Sequence, residues 1–117
     1  MIGHIDVDLD GRFSVVRSSE SNLGNFICDI TLNSLNADCV IMNSGTLRSD
    51  CLTPKGDFTI GDLKKIIPYA DTLVLLKCSG KKLHLALENS VSQYPKLEGR
   101  FPQVSGIEFA FDPRKPA

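Results

Sequence analysis

The feature that most constrains this chain is a short apolar run, Cys39 to Met42, that breaks off at Asn43 into Ser44-Gly45-Thr46-Leu47-Arg48. Four apolar residues in a row suit a buried strand, and the small and polar residues that follow end regular pairing. Gly45 permits positive φ or a close backbone approach. Arg48 carries a permanent charge and a rigid fork of donors matched to phosphate or carboxylate. The local pattern fits an anion site at the end of a strand. A polar turn with an arginine facing solvent is the reading that the local pattern alone favours.

The rest of the chain must supply layers to cover such a strand. Ile5, Val7 and Leu9 alternate with Asp6, Asp8 and Asp10, the signature of a half-buried strand. Asp10-Gly11 is a hairpin turn signal, which predicts a returning strand over 13–16 with Arg17 at its end. Ser18-Ser19-Glu20-Ser21-Asn22 offers several choices of cap for a helix over roughly 22–35, whose period runs through Leu23, Phe26, Ile27, Ile30 and, a turn later, Ser34 and Leu35. Gly24 costs that helix about 1 kcal/mol relative to alanine, and its place in the first turn fits either a close approach by another group or chance.

A polar loop is predicted over 52–57. Thr59 and Asp62 have the spacing of a capping box for a second helix, which Pro68 ends just before Tyr69. The β-prone run Thr72 to Cys78 predicts a central strand. Ser79-Gly80 leads into a third helix, with Leu83, Ala86, Leu87 and Val91 inward and His84 at the stripe's edge. Pro95 to Pro102 reads as a loop, and alternating Ile107, Phe109 and Phe111 as a final strand. The expected architecture is α+β: about three helices packed on one mixed sheet, in a single domain.

Composition narrows the functions. A net charge of −1 gives no electrostatic footprint for nucleic acid, and no apolar run has the length of a membrane segment. Cys28, Cys39, Cys51 and Cys78 are too dispersed for a zinc site and fix neither disulfides nor compartment. The two histidines are 80 positions apart, and no nucleophile elbow or P-loop is present. No catalytic centre is legible. The candidate binding groups are Arg17, Asn43, Arg48 and Tyr69, on loops that could converge at one edge of the sheet.

These residues sit inside a longer series of blocks. Glu20-Ser-Asn-Leu-Gly-Asn-Phe-Ile-Cys-Asp29 is followed by Asn43-Ser-Gly-Thr-Leu-Arg48, then by Gly56-Asp-Phe-Thr-Ile-Gly-Asp-Leu63 with Ile67-Pro-Tyr69. Ala86-Leu-Glu-Asn-Ser-Val91, Gly99-Arg-Phe-Pro-Gln-Val-Ser-Gly-Ile107 and Phe111-Asp-Pro complete it. In this order the blocks resemble the C-terminal domain of 5′-nucleotidases over nearly all of the chain. The resemblance implies the substrate-binding domain of a hydrolase that removes phosphate from nucleotides. Two divalent metal ions and the catalytic residues would lie in an N-terminal metallophosphatase domain of the same polypeptide, absent from this chain. No cofactor is expected in the chain itself, which alone should be inactive.

Carried over by motif, Asn43 would contact the base, Arg48 the phosphate, and Tyr69 would stack on the base. Arg17 lies where the family places another phosphate arginine. Ser44 and Thr46 stand where the family's loop usually has glycine, so the loop around Gly45 is less open to a ligand. The family's later Asn-Gly-Gly-Asp-Gly-Phe segment, with a second stacking aromatic, is missing, and the closing Pro-Arg-Lys-Pro-Ala reads as a cut within a loop. Family members are mostly extracytoplasmic. A free-standing ligand-binding or interaction module without catalysis is the alternative expectation.

Overall fold

A computed structural model of the chain describes residues 1–116. The α+β class holds. Four helices, α1 Phe13–Val16, α2 Asn22–Leu35, α3 Ile60–Ile66 and α4 Gly80–Val91, pack with six short strands. The strands are β1 Gly3–Ile5, β2 Leu9–Asp10, β3 Val40–Asn43, β4 Leu52–Thr53, β5 Gly56–Phe58 and β6 Pro102–Ser105. Among the described residues they form three two-stranded antiparallel ladders, β1–β5, β2–β4 and β3–β6, in place of the single mixed sheet that the sequence predicts.

Helix α2 forms where its period and caps place it. The Ser21 hydroxyl accepts from Gly24 N, and Asn36, left-handed at φ 47°, ends the helix. Helix α3 begins in the full capping box, with Thr59 and Asp62 each accepting from the other's backbone N–H. The hydroxyl bond holds the Asp62 carboxyl below its ordinary pKa, with help from the Thr59 backbone and Lys65. The core is one cluster of Leu9, Val16, Leu23, Ile27, Leu47, Phe58 and Ile66. Phe26 and Phe58 meet edge to face at its rim, with centroids 6.1 Å apart.

The N-terminal hairpin is overturned. Residues 13–16 are helix α1, and β1 and β2 pair instead with β5 and β4, inside the stretch that reads as loop. Gly11 turns no hairpin. A Cβ there would run into Ser49 Oγ and stand 2.8 Å from Leu23 Cδ2, so its smallness serves packing. The start of α1 is stabilised from a distance, since Asp50 Oδ1 accepts from Phe13 N at 2.8 Å.

Two other expected strands lack pairing partners among the described residues. Over 72–78 the chain runs without regular structure, and Leu73, Val74, Leu75 and Leu76 are exposed, Leu76 by 78%. Residues 107–111 keep their alternating burial but form no ladder, while the strand pairing with β3 is β6, which begins at Pro102. Strand β3 itself is half-buried rather than buried.

Candidate functional site

Three of the four predicted residues are carried by fully buried neighbours in the one core cluster. Val16, Leu47 and Ile66 are each 0% exposed. Arg17 follows Val16 at the end of α1, Arg48 follows Leu47, and Ile67-Pro68-Tyr69 follow Ile66 at the end of α3. Burying the aliphatic side chains fixes where the backbone presents the residues beside them, because a packed core admits little displacement.

The two arginines converge on Phe13. The Arg17 guanidinium carbon stands 3.8 Å from the ring centroid, and that of Arg48 stands 5.8 Å from it. Cation–π attraction of about 0.5–1 kcal/mol at such partly exposed positions offsets part of the cost of placing like charges on one ring. Sequence reasoning misses Phe13, because residues 13–16 read as a strand. As the first residue of α1 it lies one helical turn before Arg17, which is the signal that could have found it.

Among the described residues no carboxylate neutralises either arginine. Arg17 Nη1 donates to the Leu97 carbonyl at 3.3 Å, and Arg48 Nη1 to the Gly45 carbonyl at 3.4 Å, both long bonds. Arg17 Nε is buried with no partner. Among the described residues neither forms an ion pair, whereas nearby Arg12 is held by Asp10 at 2.6 Å. That hydrogen bond draws the Asp10 carboxyl below its ordinary pKa and takes Arg12 out of contention as a binding group.

The Asn43–Arg48 loop is built from both sides. Ser44–Thr46 form a single 3-10 turn after β3, and Ser44 is buried. Thr46 Oγ1 donates to Asn43 Oδ1 at 3.3 Å, at the exposed end of the strand. Arg48 N donates to the Ile66 carbonyl at 2.8 Å, tying the loop to the end of α3 and so to Tyr69. Tyr69 is 63% exposed and is no part of the core.

Behind this face lies a buried polar hub that sequence reasoning misses. Gln103, 1% exposed on β6, donates from Nε2 to the carbonyls of Val16 (2.9 Å) and Ser19 (2.8 Å). Its Oε1 accepts from Ser21 N at 3.2 Å. One side chain thus closes the turn that carries Arg17 between α1 and α2. Gly24 makes room for it, since a Cβ there would collide with Gln103 Oε1. Of the two readings open for this glycine, the structure shows a close approach, made by protein.

No three His, Cys, Asp or Glu side chains converge to hold a metal ion among the described residues. His84 lies on the surface of α4, 3.8 Å from Glu88. Arg17 and Arg48 thus meet at the Phe13 ring, while Asn43 stands at the start of the Arg48 loop and Tyr69 just past the helix end to which that loop is tied.

Comparison with known proteins gives that arrangement a context. The family model described as the 5′-nucleotidase C-terminal domain matches residues 1–117. The trifunctional nucleotide phosphoesterase protein YfkN of Bacillus subtilis is 40% identical over 114 residues, covering 94% of this chain and 8% of its own length. The 5′-nucleotidase of Homo sapiens is 33% identical over 127 residues, covering 98% of the chain and 22% of its own length. The crystal structure of a 5′-nucleotidase precursor from Thermus thermophilus superposes with a TM-score of 0.91 at 41% identity, over 99% of this chain and 23% of that one. The chain thus spans less than a quarter of the length of each of these three relatives. It belongs to the 5′-nucleotidase C-terminal domain family.

Proposed function

We propose that this domain binds the substrate of a hydrolase that removes phosphate from nucleotides, with Arg17 and Arg48 on the phosphate and Asn43 and Tyr69 on the nucleoside. The observation that carries this reading is the pair of guanidiniums brought to the Phe13 ring, neither of them in an ion pair among the described residues. Two unneutralised arginines side by side are costly unless an anion joins them, and a phosphate offers acceptors to both forks. Asn43 presents a donor and an acceptor for a base edge. The exposed Tyr69 ring offers a π face to any base.

The described residues of this chain do not fit a metal site, so the metal ions of such an enzyme would be held by an N-terminal metallophosphatase domain in the same polypeptide. The small share of each relative that the chain covers supports that organisation. The contribution of this chain is positioning and charge. It would orient the phosphoryl group and stabilise the charge that builds on it, while hydrolysis takes place on the partner domain. Relatives described as snake venom 5′-nucleotidases support an extracytoplasmic setting. None of the described helices is long and apolar enough to cross a membrane.

Arg48→Ala in the full-length protein tests the assignment. Loss of a charge-assisted phosphate contact should lower kcat/KM for a 5′-mononucleotide by about 2–4 kcal/mol, with the melting temperature held. Arg48→Lys should restore only part, because a point charge cannot reproduce the fork. A kcat/KM for Arg48→Ala within about a factor of two of wild type makes the loop structural.

A further inference from the structure

One segment between α4 and β6 touches the supports of both arginines. The Leu97 carbonyl accepts from Arg17 Nη1 at 3.3 Å. The Gly99 carbonyl accepts from Gly45 N at 2.8 Å and from Ser44 Oγ at 3.4 Å, and the Phe101 carbonyl accepts from Ser44 N at 2.8 Å. Gly45 in turn supplies the carbonyl that holds Arg48 Nη1. The strap is closed at its base, where Phe101 N donates to the Glu98 carbonyl at 3.1 Å and the Phe101 ring packs against Tyr94 and Phe111.

At its middle the strap meets the arginine loop backbone to backbone. A Cβ on Gly99 would stand 3.0 Å from Gly45 Cα and 3.4 Å from Gly45 N, and a Cβ on Gly45 would stand 3.2 Å from Gly99 Cα. Neither glycine has positive φ, unlike Gly56 and Gly106. What both positions require is the absence of a side chain, so that two main chains can touch.

We propose that Gly99 is a positioning residue for the substrate phosphate, its contact with Gly45 setting the depth of the Arg48 loop against Arg17. The inference rests on the reading of the arginine pair given above and adds a residue that would never touch the ligand. A methyl group at position 99 displaces Gly45 by a few tenths of an ångström and lengthens the Gly45–Gly99 hydrogen bond. Gly45 then carries the carbonyl under Arg48 out of place. The two forks no longer meet one phosphate, and small misplacements are felt in rate when a group must be held in register.

The test is Gly99→Ala in the full-length protein, with AMP as substrate and adenosine, which lacks the phosphate, as competitive inhibitor. The expected result is a fall of about 5–20-fold in kcat/KM for AMP, with adenosine inhibition within about twofold of wild type and a retained melting temperature. Because Gly99 acts through Arg48, Gly99→Ala combined with Arg48→Ala should be no worse than Arg48→Ala alone. If Gly99→Ala gives no folded protein, Gly45→Ala builds the methyl from the other side of the contact; that methyl would also stand 3.3 Å from Asn43 Nδ2, so its readout is the loss with AMP and the disappearance of that loss in the Arg48→Ala background. Unchanged AMP hydrolysis, a parallel loss of adenosine binding, or independent effects of the two substitutions would each overturn the proposal while leaving the arginine reading intact. No effect of Arg48→Ala alone overturns that reading, and this inference with it.

Discussion

Replacing Gln103 by leucine separates the shape of the hub from its hydrogen bonds. Leucine fills nearly the same space but can neither donate to the Val16 and Ser19 carbonyls nor accept from Ser21 N. The bonds to Val16 and Ser21 are buried, so those two groups are left without a partner and without easy access to water. A buried polar group abandoned in this way costs about 1–3 kcal/mol, so the pair costs about 2–6. Burying the extra apolar surface of leucine returns about 1–2 kcal/mol. Taking the middle of each range, about 4 lost and about 1.5 returned, the net expectation is a loss of about 2.5 kcal/mol, a large part of the total for a domain whose stability falls in the usual range of about 5–15.

Urea unfolding followed by far-UV circular dichroism reads this as a lower midpoint at unchanged slope. The melting temperature should fall by roughly 10–20 °C. A loss below about 0.5 kcal/mol would mean that water or neighbouring groups satisfy the abandoned atoms, and would refute the hub as a source of stability. A second substitution checks the geometry independently. Gly24→Ala, whose methyl would strike Gln103 Oε1, should cost about 1–3 kcal/mol in the wild-type background. In the Gln103→Ala background it should cost little, because the obstructing amide is gone.

Two further outcomes follow. Tyr69→Ala should weaken adenosine binding by about 1–3 kcal/mol, read as smaller ligand-induced NMR shifts, and should leave the melting temperature nearly unchanged because the ring is exposed; a loss of stability typical of a core aromatic would remove Tyr69 from the site. Burial, with help from the neighbouring Asp29 charge, pushes the Cys28 thiol up from 9.0 to about 11. Its contribution is complete below about pH 9 and is lost as pH rises toward about 11, since the unfolded chain releases that proton first. Wild type should therefore lose more stability than Cys28→Ala between about pH 8 and 11 in parallel urea titrations, and equal losses would contradict the shift.

What is legible in the sequence is what local chemistry determines. The 3.6 period places α2, with Ser21 the cap taken from several on offer, and the Thr59–Asp62 box starts α3 where spacing places it. Pairing is not legible. Periodicity tells which face of a strand is apolar, but β1 and β2 find partners more than forty residues away, in a stretch whose Pro54, Gly56 and Asp57 read as loop. Helix α1 escapes for a related reason, since its cap comes from Asp50, just past the distant arginine loop. Residues 72–78 have every strand propensity and no ladder among the described residues, because propensity reports fit to a pleated surface and not the presence of one.

The arginines, Asn43 and Tyr69 can be named as candidates by residue type and by resemblance. The convergence of the two arginines cannot. Phe13 lies within a helical turn of Arg17 but meets Arg48 from 35 positions away, and the Gln103 hub and the Gly45–Gly99 contact join segments further apart still.

The most direct measurement is of the guanidinium groups themselves. The Nε–Hε NMR resonances of Arg17 and Arg48 can be followed in the 117-residue chain during parallel titrations with AMP and adenosine. Both should shift together with AMP, saturating at one millimolar-range dissociation constant, while adenosine leaves them in place and moves resonances near Tyr69. Equal shifts with adenosine, or a response to AMP at only one of the two arginines, would contradict a shared phosphate site.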